Sequence, residues 1–122
     1  MIEPNIKIIN ASAGSGKTFS LVKDIILTLL INDENTYKKI LALTFTNNAA
    51  NEMKKRVLDE LYLISNEIER SKIYELIASK IELKKPEVSK KAKFILNRIL
   101  HNYSFFQIST IDKFNHRIIR TF

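Results

Sequence analysis

Both glycines of the 122-residue chain fall in one short run, and this run limits the fold more than any other feature. Gly14 and Gly16 lie within Ala11-Ser-Ala-Gly-Ser-Gly-Lys-Thr18, between a strand-like stretch from Ile6 to Asn10 and a helix-like stretch that starts at Phe19. Glycine lets backbone N–H groups approach an anion closely, and the positive end of a helix dipole faces the same point. A strand, a glycine turn and a Lys-Thr pair that opens a helix predict a triphosphate site. The alternative interpretation is a Gly-Ser turn that leads into a helix.

The residue types in this run have separate roles. Lys17 is expected to reach the β- and γ-phosphates, and the Thr18 hydroxyl is expected to hold Mg²⁺. Ala11 stands where the usual pattern has glycine, which favours variants of the loop with an ordinary backbone conformation there. The predicted nucleotide-binding residues are Ala11, Ser12, Ala13, Gly14, Ser15, Gly16, Lys17, Thr18 and Phe19, of which Lys17 and Thr18 are also assigned catalytic roles.

Composition excludes several classes of protein. The absence of cysteine excludes disulfides and thiolate metal sites and favours a reducing, cytoplasmic location. The first residues show no signal peptide, and the longest apolar stretch, from Ile25 to Ile31, is too short to span a bilayer. No membrane partner is therefore expected.

The net charge of +7 favours a polyanionic partner. Basic residues are concentrated between Lys72 and Arg98. A solvated helical face and a nucleic-acid surface explain such a segment equally well, so charge alone leaves both interpretations open.

Apolar periodicity predicts the order strand, helix, strand, helices, strand, helix. The predicted elements are strands over Ile6–Asn10, Ile40–Phe45 and Phe105–Ile111, and helices over Lys17–Ile31, Ala49–Glu67, Lys72–Lys80 and Glu87–His101, with a last helix after Asp112. Asn47 and Asn48 are expected to cap the second of these helices. The order predicts an α/β fold class: a parallel sheet flanked by helices, with a helical segment at about 68–102 between the second and third strands. The last helix pattern lacks a capping glycine, which suggests a fragment of a larger protein.

Hydrolysis of a nucleotide needs a second, acidic site. Asp112 follows the third predicted strand, where it either caps the last helix or supports a metal ion. No glutamate follows it, because the next residues are Lys113 and Phe114. The sequence therefore predicts a chain that binds nucleotide and does not hydrolyse it by itself.

Three segments resemble superfamily 1 DNA helicases of the UvrD/Rep type, and most closely their RecB/AddA branch. The segments are the phosphate loop Ala11–Thr18, the stretch from Leu43 to Val57, which is similar to motif Ia, and the stretch from Ile108 to Phe114, which is similar to motif Ic. The resemblance implies that residues 1–122 are the N-terminal part of the first RecA-like motor domain. It also implies ATP and Mg²⁺ as cofactors, and ATP-driven movement on single-stranded or end-containing DNA in recombination and repair.

The same resemblance assigns DNA contacts. Thr44, Thr46, Asn47 and Thr110 are expected to bond phosphate oxygens, and Phe45 to meet a base. Asn48 and Asp112 depart from the lysine and histidine that are usual in the family. The remaining partners implied are the rest of the polypeptide, which supplies a second motor domain, and an exonuclease subunit.

Two alternatives from other classes stay open at this point. One is a small phosphate-loop kinase with Asp112 as metal or substrate ligand. The other is a non-catalytic nucleic-acid-binding module that relies on the basic helices between Lys72 and Arg98. The kinase would transfer phosphate without DNA stimulation, and the module would bind in a salt-sensitive way without Lys17.

Overall fold

The computed structural model describes residues 5–8, 15–33, 35–38, 40–44, 46–103 and 106–110. The elements, in chain order, are β1 (Asn5–Ile8), α1 (Ser15–Ile31), β2 (Ile40–Thr44), α2 (Asn47–Glu67), α3 (Lys72–Ile77), α4 (Lys85–His101) and β3 (Gln107–Thr110). Short 3-10 turns at Thr36–Lys38, Ile68–Arg70 and Ala78–Lys80 connect several of them.

The three strands form a small sheet in the order β1-β2-β3, and both pairings are parallel. Ile8 lies opposite Leu43 in the register, and Thr44 lies opposite Thr110. The carboxyl ends of all three strands therefore meet at one edge of the sheet.

Local sequence explains where the helices of the central segment begin. The Thr46 hydroxyl accepts a hydrogen bond from the Ala49 N–H at 3.1 Å and so caps α2. The Ser71 hydroxyl accepts one from the Tyr74 N–H at 3.0 Å and caps α3. Pro86 lies in the first turn of α4, where its missing N–H leaves no hydrogen bond unmade.

Helices α2 and α4 pack against each other in opposite directions. At one end, the Lys85 ammonium at the start of α4 pairs with Glu69, just after α2, at 2.9 Å. At the other end, the Lys54 ammonium near the start of α2 lies 5.1 Å from the ring centroid of Tyr103, just after α4. The residues buried between and beside them recur at helical spacing: Ala50, Met53, Val57, Leu61 and Ile64 on α2, and Val88, Ala92, Ile95 and Ile99 on α4.

The structure corrects the predicted fold class, an α/β domain organised around a helix-flanked parallel sheet. Within the described residues helix predominates: α1, α2 and α4 have 17, 21 and 17 residues, whereas the strands have four, five and four. The apolar faces of these helices form a hydrophobic core of their own. The physical reason is that the segment between β2 and β3 has enough apolar surface to form a helical core, with the sheet as a minor layer.

Several element boundaries also differ from prediction. Helix α2 begins at Asn47 with Thr46 as its cap, so the prediction of an Asn47/Asn48 cap was wrong. Helix α3 ends at Ile77 and continues as a 3-10 turn to Lys80. Phe19, near the start of α1, is 39% exposed. The last predicted helix and Asp112 lie outside the described residues.

Candidate functional site

The carboxyl edge of the sheet brings together the segments that the sequence singled out. The stretch that links β1 to α1 leaves this edge after Ile8, the motif Ia stretch leaves it after Thr44, and β3 reaches it at Thr110. Ligands of parallel sheets bind beyond the carboxyl ends of the strands, because the helix N-termini and connecting turns face that side. This edge is therefore the candidate site.

Helix α1 begins inside the predicted phosphate loop. Ser15, Gly16 and Lys17 form its first turn, which contains no acidic residue. The first N–H groups of a helix have no partner within the helix, and no acidic side chain of this turn opposes the positive end of the α1 dipole. Thr18 follows as a half-buried residue, and Ala11–Gly14 lie outside the described residues.

Two of the predicted DNA contacts lie side by side. Thr44 and Thr110 are register partners on β2 and β3, although they are 66 positions apart in the sequence. Thr46 and Asn47 follow at the start of α2 and are exposed, and the first turn of α2 also lacks an acidic residue. The structure thus gathers four of the five predicted positions at one edge, and the fifth, Phe45, lies outside the described residues.

The Thr46 hydroxyl already has a structural role. It accepts the Ala49 N–H and so uses one acceptor site of its oxygen. A threonine hydroxyl also carries a proton that it can donate, so capping and a bond to an anionic oxygen are chemically compatible. Asn48 is exposed in the same turn.

A groove next to this edge has no counterpart in the sequence analysis. A cavity of about 390 Å³ lies between α1, α2 and α3, with Phe19 and Val22 on one wall. Two arginines of its lining are paired with carboxylates outside it, since Arg56 bonds Glu52 at 2.9 Å and Arg70 bonds Glu67 at 2.8 Å. No local pattern could have revealed it, because three separate helices form its walls.

Other kinds of site find no support in the described part of the chain. No group of three or more His, Cys, Asp or Glu side chains there is arranged to hold a metal ion. None of the helices there is long and apolar enough to cross a bilayer. His101 is exposed, and its Nδ1 lies 2.7 Å from the Asn97 carbonyl oxygen within α4.

Comparison with known proteins shows the family to which the chain belongs. The family model of the UvrD/REP helicase N-terminal domain matches residues 3–122, so the chain belongs to that family. The predicted resemblance to UvrD/Rep-type helicases is confirmed.

Individual relatives are consistent with this assignment. The chain is 36% identical over 101 residues to an ATP-dependent helicase/nuclease protein of Staphylococcus saprophyticus, in an alignment that covers 83% of this chain and 8% of the relative. It is 32% identical over 126 residues to the RecB component of the RecBCD enzyme of Buchnera aphidicola, in an alignment that covers 94% of this chain and 10% of the relative. The RecB protein of Chlamydia muridarum is 45% identical over 53 residues, or 43% of this chain and 5% of the relative.

The chain thus spans no more than about a tenth of the length of these relatives. No solved structure matches it. The helicase/nuclease relative and the two RecB relatives bear out the expected likeness to the RecB/AddA branch.

Proposed function

We propose that this chain is the ATP-binding part of an ATP-dependent DNA helicase or translocase of the RecB/AddA type. In the complete protein, hydrolysis of ATP would drive movement along single-stranded or end-containing DNA in recombination and repair. The observation that supports the proposal is the shared carboxyl edge, which the stretch leading to α1 leaves after Ile8 and where the register partners Thr44 and Thr110 end their strands. A motor protein couples ATP hydrolysis to movement along DNA, so its nucleotide site and its DNA-contacting residues need to lie close together.

The residues present fit a nucleotide. Ser15, Gly16 and Lys17 open a helix of 17 residues without an acid in its first turn, which is a suitable environment for a polyphosphate. Lys17 would contact the β- and γ-phosphates, and the Thr18 hydroxyl would hold Mg²⁺. When bound, the metal would neutralise phosphate charge. Phe19 is exposed directly after these residues, and with Ala11–Gly14 it completes the proposed nucleotide site.

The residues of motif Ia fit a DNA backbone. Thr46 and Asn47 are exposed at the N-terminus of α2, where the helix dipole favours anions. Hydroxyl and amide groups can bond phosphate oxygens without reading the sequence, which suits a protein that moves along its substrate. Thr44, Phe45 and Thr110 complete the proposed contact.

The wider assignment follows from the family. We propose that residues 1–122 form part of the first RecA-like motor domain, with the segment at about 68–102 as its helical portion. The partners would be the remainder of the polypeptide, including a second motor domain, and an exonuclease subunit. The 122-residue chain alone is expected to bind ATP and not to hydrolyse it at a useful rate. No observation on the described residues favours the kinase alternative.

A Lys17→Ala substitution tests the nucleotide half. Binding of a fluorescent ATP analogue with Mg²⁺ should weaken at least tenfold, since an ammonium that contacts phosphates contributes at least about 1.4 kcal/mol. The matched control is Lys23→Ala, which removes the same charge from the same helix six positions further on. Omission of Mg²⁺ should weaken binding to the unaltered chain as well. Equal affinity of the Lys17 and Lys23 variants would contradict the phosphate-loop assignment.

A further inference from the structure

A second surface lies at the opposite end of α1 from the phosphate loop. Helix α1 is about 25 Å long by its helical rise, and its last residue, Ile31, is 51% exposed. Two shallow grooves meet beside it, one against the start of α4 and one against the end of α1. They share Leu83 and Lys91, so they form one continuous surface, here called the Leu83 surface.

The centre of the Leu83 surface is apolar. Ile31, Leu83 and Phe94 come from three separate parts of the chain and are each exposed by a third or more of their area. Scattered single exposed apolar residues are ordinary, whereas adjacent ones that line a groove indicate a contact surface. The two grooves have volumes of about 400 and 390 Å³, which suits protruding side chains of a partner.

The rim of the surface is basic. Between residues 79 and 94 there are six lysines and two glutamates: Lys80, Lys84, Lys85, Lys90, Lys91 and Lys93 against Glu82 and Glu87. Lys85 is engaged by Glu69, and Lys91 donates to the Asn32 carbonyl at the end of α1. Lys80 and Lys90 line the grooves and are exposed, and so are Glu82 and Glu87. The positive excess of the rim therefore comes from the exposed Lys84 and Lys93, which adjoin Leu83 and Phe94 in the sequence.

We propose that the Leu83 surface docks an acidic amphipathic helix of a protein partner. Apolar side chains at helical spacing on that partner would enter the grooves beside Leu83 and Phe94, and its acidic residues would face the lysine rim. A protein is favoured over a nucleic acid because bases stack on flat aromatic rings and gain little from Ile31 and Leu83. The one aromatic ring of the floor, Phe94, already has the Arg98 guanidinium 5.3 Å from its centroid. This function is separate from the nucleotide and DNA edge and does not depend on it.

The experiment uses the purified 122-residue chain and a fluorescent synthetic peptide. The probe is an amphipathic peptide of about 18 residues, long enough to form helix when bound, with leucines at i, i+3, i+4 and i+7 and glutamates elsewhere. We expect saturable binding that weakens at least about tenfold in Phe94→Ala, as for an anchor residue of an interface. Lys90→Glu should also weaken binding, because it replaces a positive charge that faces the peptide's glutamates with a negative one. A scrambled peptide of the same composition should bind at least about tenfold more weakly.

Leu76→Ala is the matched control, because Leu76 is 57% exposed on α3 and does not line either groove. Its affinity for the peptide should equal that of the unaltered chain. All substituted positions are exposed, and thermal unfolding checks that each variant is folded. The proposal is overturned if the scrambled peptide binds equally well, if Leu76→Ala weakens binding as much as Phe94→Ala, or if no binding is seen. If single-stranded oligo-dT displaces the peptide, and Phe94→Ala weakens the binding of both, the surface would instead be assigned to nucleic acid.

Discussion

Thr46 offers a way to separate the stability of α2 from the proposed contact with DNA. Its hydroxyl caps the helix through the Ala49 N–H at 3.1 Å and is also proposed to bond a phosphate. Thr46→Ala removes both interactions, whereas Thr46→Asp keeps a good capping side chain and adds a negative charge. The two variants should therefore rank in opposite order for stability and for DNA binding.

The magnitudes follow from the exposure of the cap and from simple electrostatics. Loss of the cap in Thr46→Ala should lower the free energy of unfolding by about 1 kcal/mol, whereas Thr46→Asp should change it by less than about 0.5 kcal/mol. A lost phosphate bond of about 1 kcal/mol should weaken DNA binding about fivefold in Thr46→Ala. A carboxylate about 5 Å from a phosphate adds about 0.8 kcal/mol of repulsion in water, so Thr46→Asp should bind about 20-fold more weakly.

The assays are urea unfolding followed by circular dichroism, and fluorescence anisotropy with single-stranded oligo-dT. Ser79→Asp is the charge control, since Ser79 is exposed in the 3-10 turn after α3 and the substitution changes net charge equally. If affinity simply follows stability, so that Thr46→Ala binds less well than Thr46→Asp, the hydroxyl acts only as a cap. Equal weakening by Ser79→Asp would show that the effect is one of net charge, and the contact would be refuted.

Two further predictions concern the helical segment. Ser71→Ala should lower the free energy of unfolding, measured by urea titration, by about 2 kcal/mol. The reason is that the buried Ser71 hydroxyl both caps α3 and donates to the Glu60 carboxylate at 3.0 Å. A change below about 0.5 kcal/mol would contradict this role. The hydrogen bond and charge of Glu69 raise the pKa of Lys85, so Glu69→Gln should return that pKa toward its ordinary value in an NMR titration of the ammonium group. Because a raised pKa in the folded state stabilises the fold below the unfolded value, this contribution should be complete at neutral pH and disappear as pH rises above about 10.5; an unchanged pKa in the variant would exclude the pairing in solution.

The helices and strands were largely predictable because their signals are local. Pro86 is typical of a first helical turn and lies in that of α4, and Met53, Val57 and Leu61 recur at helical spacing on the buried face of α2. Each prediction needed only a few neighbouring residues. The errors were also local: Thr46 took the capping role expected of the following asparagines, since a threonine hydroxyl is nearly as good a cap.

The arrangement of the site could be predicted only in part. Family motifs indicated Thr44 and Thr110 as separate contacts, but their direct opposition depends on strand register, which a single sequence does not reveal. The exposure of Phe19 depends on where α3 lies beside α1, which a single sequence does not reveal. Local patterns do not predict the Leu83 surface either, because Ile31 is far in the sequence from Leu83 and Phe94.

The antiparallel pairing of α2 and α4 also has a consequence for how the chain folds. Leu41 and Gln107, which face each other in the sheet, are 66 positions apart, so direct closure of that loop is entropically unfavourable. A helical pair stabilised by nearby contacts returns the chain to its starting side and shortens the effective loop. The helical connection between β2 and β3 thereby brings β3 close to β2 before the two strands pair. The four residues of β3 provide too few contacts to offset closure of the long loop by themselves.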